Sequence, residues 1–142
     1  MNIRQLTYDD YSAFLLLINT FRPTSFTKEN FNTILSEILK SGQVWVIEDT
    51  DGALIATATI IYEHKFLWNT SIYAHIEDVC VHTEKRRTGI GKMLIKHLLQ
   101  EAKRRQCYKV TLNCSQENIP FYMACGLSPR GTQMSELVVN IS

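Results

Sequence analysis

Between Ile76 and Leu99 a β-prone run, a short basic turn holding two glycines and a long amphipathic run follow one another (IEDVCVHTEKRRTGIGKMLIKHLL), and this succession constrains the fold most. Ile76, Val79 and Val81 alternate imperfectly, which predicts a strand. Met93, Leu94, Leu98, Leu99 and Ala102 mark the buried side of the following helix; Lys96, Gln100, Lys103 and Arg104 mark its wet side. Between them, Arg86-Arg87-Thr88-Gly89-Ile90-Gly91 places two glycines where the helix must begin. A glycine has no Cβ to hold a ligand away from the backbone. First-turn N–H groups lack internal partners, and the helix dipole adds partial positive charge there, so such a start receives phosphate oxygens. Arg86, Arg87 and Lys92 bring three cations to the same point, with Lys85 just upstream. On spacing alone a phosphate cradle and a plain basic surface loop are both open. The P-loop spacing G-x-x-x-x-G-K-[ST] is missing, and a dinucleotide fingerprint would need a third glycine and an acidic residue about 20 positions on.

The 142 residues suit one domain, 1–142, long enough to bury roughly two thirds of its unfolded surface. A net charge of +1 argues against a dedicated nucleic-acid binder, which needs a broad basic face. No apolar run reaches about 18 residues, so no membrane span is expected, and Leu15–Ile18 sits in an amphipathic pattern rather than a signal peptide. Cys80, Cys107, Cys114 and Cys125 lack C-x-x-C pairing, so no metal site is expected. Reduced thiols in a cytoplasmic enzyme are the expectation.

In chain order, Asn2–Gln5 reads as a strand, Thr7 and Thr27 as caps of two helices, and Gly42 as the end of the second. Val44–Glu48 and Ala53–Tyr62 read as strands joined by a turn at Asp49–Gly52, and 72–81 as a third after a polar, aromatic loop at 63–71. Tyr108–Asn113 reads as a strand, Glu117–Cys125 as a short helix closed by Gly126, and Met134–Ile141 as a final strand. The order β-α-α-β-β-β-α-β-α-β predicts an α/β (α+β) layered domain, a mixed sheet with helices packed against it.

Arg86-x-x-Gly89-x-Gly91 and Asn118-x-x-x-Tyr122 followed by Cys125-Gly126-Leu127 resemble the two signatures of the GNAT superfamily of N-acetyltransferases, the second with shortened spacing. That resemblance implies the GNAT fold, with a mostly antiparallel sheet. His75-Ile76-Glu77-Asp78-Val79, Gly89-Ile90-Gly91-Lys92, Cys107-Tyr108-Lys109-Val110-Thr111-Leu112 and Phe121-Tyr122 are similar, more narrowly, to runs of the glucosamine-6-phosphate N-acetyltransferase family. The resemblance implies acetyl transfer from acetyl-CoA to an amine, the leading acceptor being the amino-sugar phosphate glucosamine 6-phosphate. Another small amine, a protein amino group, or a non-catalytic acyl-CoA sensor are the alternatives.

Carried onto this chain, the resemblance implies that the main chain of Val79, Cys80 and Val81 pairs with the pantetheine arm. It implies a pyrophosphate cradle of Arg86, Arg87, Thr88, Gly89, Ile90, Gly91 and Lys92, with Asn118 on the cofactor arm. Tyr122 would protonate the leaving thiolate: a phenol of pKa about 10 can protonate a thiol of pKa about 8.5. Glu77 or Asp78, which on a regular strand point to opposite faces, would meet the acceptor. Lys65, twelve residues before Glu77, Trp68 and Thr20 complete the substrate set. Three positions depart from the family. Asn113 stands where an Asp or Glu is usual and can orient a substrate but not act as a base. Trp68 replaces a histidine, and Leu137 an arginine. The resemblance also implies a homodimer with shared sites, exchanging contacts through the C-terminal strand.

Overall fold

A computed structural model describes residues 1–139. Its elements are β1 (Asn2–Gln5), α1 (Tyr11–Phe21), α2 (Lys28–Leu39), β2 (Gly42–Glu48), β3 (Leu54–His64), the single turn α3 (Leu67–Thr70), β4 (Ile72–Val81), α4 (Ile90–Arg104), β5 (Lys109–Thr111) and α5 (Ile119–Ala124). Five strands form one sheet in the order β1-β2-β3-β4-β5, antiparallel except for the parallel pair β4–β5. Helices cover both faces. On one, Leu94, Ile95, Leu98 and Ala102 of α4 pack on Ile47, Ala58, Ile60, Ala74 and Ile76. On the other, Leu17 of α1 and Phe31 and Leu35 of α2 pack on Val44, Val46 and Cys80. These are the apolar positions at helical and strand period, so burial of the two stripes selects the three-layer arrangement.

Both threonine caps form. The Thr7 hydroxyl accepts from Asp9 N while the Asp10 carboxylate takes the Thr7 N–H at 2.7 Å, opening a 3₁₀ turn (Tyr8–Asp10) that leads into α1. Thr27 accepts the Asn30 N–H at 3.1 Å. Arg4 reaches Asp10 (2.8 Å) and Glu48 (3.0 Å), tying β1 to this turn. Gly126 closes α5 at φ 106°, with its N–H on Met123 O.

Gly42 does not end α2; it opens β2. A Cβ there would lie 2.1 Å from Ile60 O, so the glycine lets β2 and β3 meet. The 108–113 strand is shorter than its sequence suggests, only Lys109–Thr111. No strand forms over 134–139. Met134, Leu137 and Val138 are exposed, Leu137 at 94%, and the remainder of the expected strand lies outside the described residues. An alternating apolar pattern needs a neighbouring strand to pair with, and 134–139 has none among the described residues.

Candidate active site

β4 and β5 run side by side only through Tyr73–Lys109, Ala74–Val110 and His75–Thr111, and then part. From Ile76 to Val81 β4 keeps β3 alone, leaving the other edge of its main chain unpaired among the described residues. Within this half sits a bulge: Thr57 faces Cys80 and Thr59 faces Glu77, so Asp78 and Val79 together oppose Ala58. Asp78 takes the left-handed conformation, φ 53°. The extra residue reverses the strand's parity. Ala74 and Ile76 face α4, Val79 and Val81 return to that face, and Cys80 joins the α1/α2 core. The imperfect alternation of the sequence has this physical origin. It also corrects the expectation that Glu77 and Asp78 alternate as on a regular strand; both are exposed at the bulge.

The turn after β4 is built as the anion argument requires. Gly89 caps α4 at φ 87° and no side chain caps the helix. Met93 N to Gly89 O is the first helical bond at 3.0 Å, so the N–H groups of Ile90, Gly91 and Lys92 donate to no carbonyl among the described residues. Arg86, Arg87 and Lys92 are exposed and meet no carboxylate among the described residues, whereas Lys85 is drawn to Asp49 at 3.5 Å. Arg86 Nε also donates to Val81 O at 3.5 Å, and the Thr88 hydroxyl to Lys85 O, closing the turn. The two glycines differ in role. A Cβ on Gly89 would meet nothing, so Gly89 serves its positive φ; one on Gly91 would lie 3.1 Å from Phe121 Cζ and 3.2 Å from Val81 Cγ2. Gly91 therefore draws the start of α4, the end of β4 and α5 together, a role in packing rather than in making room for a ligand.

α5 carries Tyr122, half-buried against the α4-side core. Burial, with smaller contributions from Cys114 and Cys125, pushes its phenol up to about 12. Asn118 precedes α5 with its amide free of any capping bond, so it is not spent as a helix cap. Asn113, two residues beyond the last paired residue of β5, is exposed. Val79, Val81 and Tyr122 pack on the same core, and Phe121 and Val81 meet at Gly91, so the end of β4, the Arg86–Lys92 turn and α5 lie together beside the cleft where β4 splays from β5.

The residues expected to meet the acceptor are more scattered. Glu77 stands across from Thr59, whose side chain lines a hollow of 620 Å³ on the α1/α2 face. Asp78, Val79, Cys80, Phe21, Arg22 and Thr24 line the same hollow. Thr20, nearby in the last turn of α1, spends its hydroxyl proton on Leu17 O at 2.8 Å. Lys65 and Trp68 lie at the β3–β4 turn, off the cleft. Lys65 pairs with Glu63 at 3.1 Å and lies 5.0 Å over the Tyr73 ring. Trp68 stacks on Tyr108 at 5.2 Å and donates its indole N–H to the Tyr73 hydroxyl at 2.9 Å. Tyr73 and Glu77 are four residues apart on the strand, about 13 Å. Sequence reasoning missed the tie across the splay point, where His75 bonds Glu63 (2.8 Å) and Thr111 (3.2 Å), since only pairing brings these residues together.

A splayed parallel pair, a bulged strand and an uncapped, glycine-led helix start together suit an extended ligand that ends in an anion. The model of the Acetyltransferase (GNAT) family matches residues 4–127, and the chain belongs to that family. It is 39% identical over 140 residues to the glucosamine 6-phosphate N-acetyltransferase of Arabidopsis thaliana, covering 94% of each chain. To glucosamine 6-phosphate N-acetyltransferase 1 of Oryza sativa subsp. japonica it is 36% identical over 138 residues, covering 93% of this chain and 84% of the relative. The crystal structure of the Arabidopsis thaliana enzyme matches with a TM-score of 0.91 at 36% identity, over 97% of this chain and 98% of that one. Among the described residues no helix is long and apolar enough to cross a membrane, and no cluster of His, Cys, Asp and Glu could hold a metal ion.

Proposed function

We propose that this chain transfers the acetyl group of acetyl-CoA to the amine of glucosamine 6-phosphate. The carrying observation is the cleft itself: among the described residues an unpaired β4 edge runs directly into a helix start with three unpartnered N–H groups and three unpaired cations. The bound coenzyme supplies an acetyl thioester. The chain's own residues then have separable tasks. The main chain of Val79 to Val81 holds the pantetheine arm as an added strand, and an N–H on this edge donates to the thioester carbonyl as negative charge develops there. The first turn of α4, with Arg86, Arg87 and Lys92, receives the pyrophosphate. Asn118 offers its free amide to the coenzyme arm. Tyr122, kept protonated by burial, gives its proton to the departing thiolate. Glu77 and Asp78 present carboxylates to the acceptor, and Asn113 orients it without taking a proton.

Lys65 and Trp68 lie too far along the sheet to serve the same cleft, and the exposed apolar segment from Met134 to Val139 wants a strand neighbour. Both features support a homodimer with shared sites, in which Lys65 offers its ammonium to the sugar phosphate in the other copy's cleft. Four free cysteines suit the reducing cytoplasm.

The test is thiol release from acetyl-CoA by purified protein against a panel of amines. Glucosamine 6-phosphate should turn over well above glucosamine and lysine peptides. Equal turnover of a lysine peptide would move the acceptor to proteins, and tight acetyl-CoA binding without turnover of any amine would make the chain a sensor.

A further inference from the structure

At the opposite end of α4 from Gly89 lies a cavity of 410 Å³ that the acetyl-transfer reading does not use. Across the 15 residues of α4 the two ends are about 22 Å apart. Gln5, Lys40, Gln43, Tyr62, His64 and Arg105 supply its polar wall, and none of the nine lining residues is acidic.

Gln43 decides its chemistry. The residue is 8% exposed. Its Oε1 accepts the Trp45 indole N–H at 3.1 Å and the Tyr62 hydroxyl at 3.4 Å. An indole N–H only donates, so the amide has one possible orientation and its NH₂ turns away from Trp45. No acceptor among the described residues meets that NH₂, and the residue's open side is the cavity. The NH₂ therefore opens onto the cavity, where a bound oxyanion would accept a hydrogen bond from it.

The surrounding charge agrees. The Arg105 guanidinium lies 4.5 Å over the Tyr62 ring and comes no closer than 3.9 Å to a carboxylate, Glu101. Lys40 is held by Glu37 at 2.9 Å and still adds a positive wall. Lys103 and Arg104 in the last turn of α4 offset the negative end of its dipole.

We propose that this cavity is a second oxyanion site, for a phosphate or phosphomonoester, separate from the cleft and independent of the acetyl-transfer reading. Gln43 donates its NH₂ from the floor, Arg105 donates from the α4 side, and His64 and Lys40 close the rim. A dianion matches the two permanent cations better than a carboxylate does.

Inorganic phosphate titrated into ¹⁵N-labelled protein tests this, with the Gln43 side-chain amide as the reporter. Phosphate is expected to move two separate sets of signals, Gly89 to Lys92 at the cleft, and Gln43, His64 and Arg105 here. Acetate at matched ionic strength should leave the second set in place. Arg105→Gln should weaken the second set about tenfold and spare the first. His64→Asn, at an exposed position, should weaken it less and serves as a second variant. An unmoved Gln43 amide, equal shifts with acetate, or unchanged affinity in Arg105→Gln would each overturn the proposal.

Discussion

From Ile72 to His75, β4 has a neighbour on each side; from Ile76 to Val81 it has β3 alone. The first half is tied by side chains as well as by its ladder. His75 bridges Glu63 and Thr111, and Tyr73 stacks with Tyr108 beneath the Lys65 and Lys109 ammonium groups. The second half carries the bulge, two exposed carboxylates and an open edge. An unpaired edge is ordinarily a liability that proteins cover. Here the basic Arg86–Lys92 turn and α5 lie beside it. The difference teaches that the cleft arises because β5 stops after three residues; an insertion in the sheet is not what makes it.

Four measurements sharpen or break this contrast. The largest effect belongs to Tyr122→Phe: kcat should fall about 100-fold, with acetyl-CoA affinity changed by less than about twofold in a calorimetric titration. An unaltered kcat would remove the phenol from the reaction.

Next are the two glycines. Gly91→Val drives a side chain into Phe121 and Val81 and should cost about 2 kcal/mol of stability in urea unfolding, loosening the coenzyme site with it. Gly89→Ala meets open space and should cost only its backbone strain, about 1 kcal/mol. Equal costs would contradict their separate roles.

At the bulge, Asp78→Val should destabilise by about 1 kcal/mol, because a β-branched residue resists positive φ, while Asp78→Asn should be near neutral in stability. Denaturant midpoints of the pair isolate the backbone's share from that of the carboxylate.

The smallest effect is an absence of change with pH. In the proposed reaction Tyr122 acts in its protonated form, and its pKa is raised to about 12, so loss of the acid begins only as pH nears that value. kcat should therefore show no loss from phenol ionisation up to about pH 10.5, where an ordinary tyrosine of pKa about 10 would already be mostly ionised. A kcat falling with a midpoint near 10 would place Tyr122 in water, outside the buried cleft.

Much of the fold was legible because its signals are local. Thr7 and Thr27 satisfy N–H groups two or three residues on, Asp49–Gly52 turns on itself, and the α4 stripe repeats at helical period. The Arg86–Lys92 turn was legible for the same reason, since its charges and its exposed N–H groups lie within one short segment. Gly42 misled because a glycine after a helix is a common terminator, whereas this one is demanded by Ile60 on a strand that follows it. Lys65 and Trp68 were placed by a motif's spacing along the chain, and the sheet then carried them away from the cleft.

The sequence alone determined that a strand, a basic turn and an amphipathic helix follow one another at 76–104, and that several cations stand at the helix start. Neighbours in sequence suffice for that, because capping, periodicity and charge act over a few residues. Only the tertiary structure decided that β4 bulges at Asp78, that β5 ends at Thr111, and that Gly91 serves packing while Gly89 serves conformation. Each of these depends on what a distant segment offers as partner: Ala58 opposite the bulge, His75 at the last rung, Phe121 against the helix. Such partners have no fixed spacing along the chain, and the sheet alone brings them together.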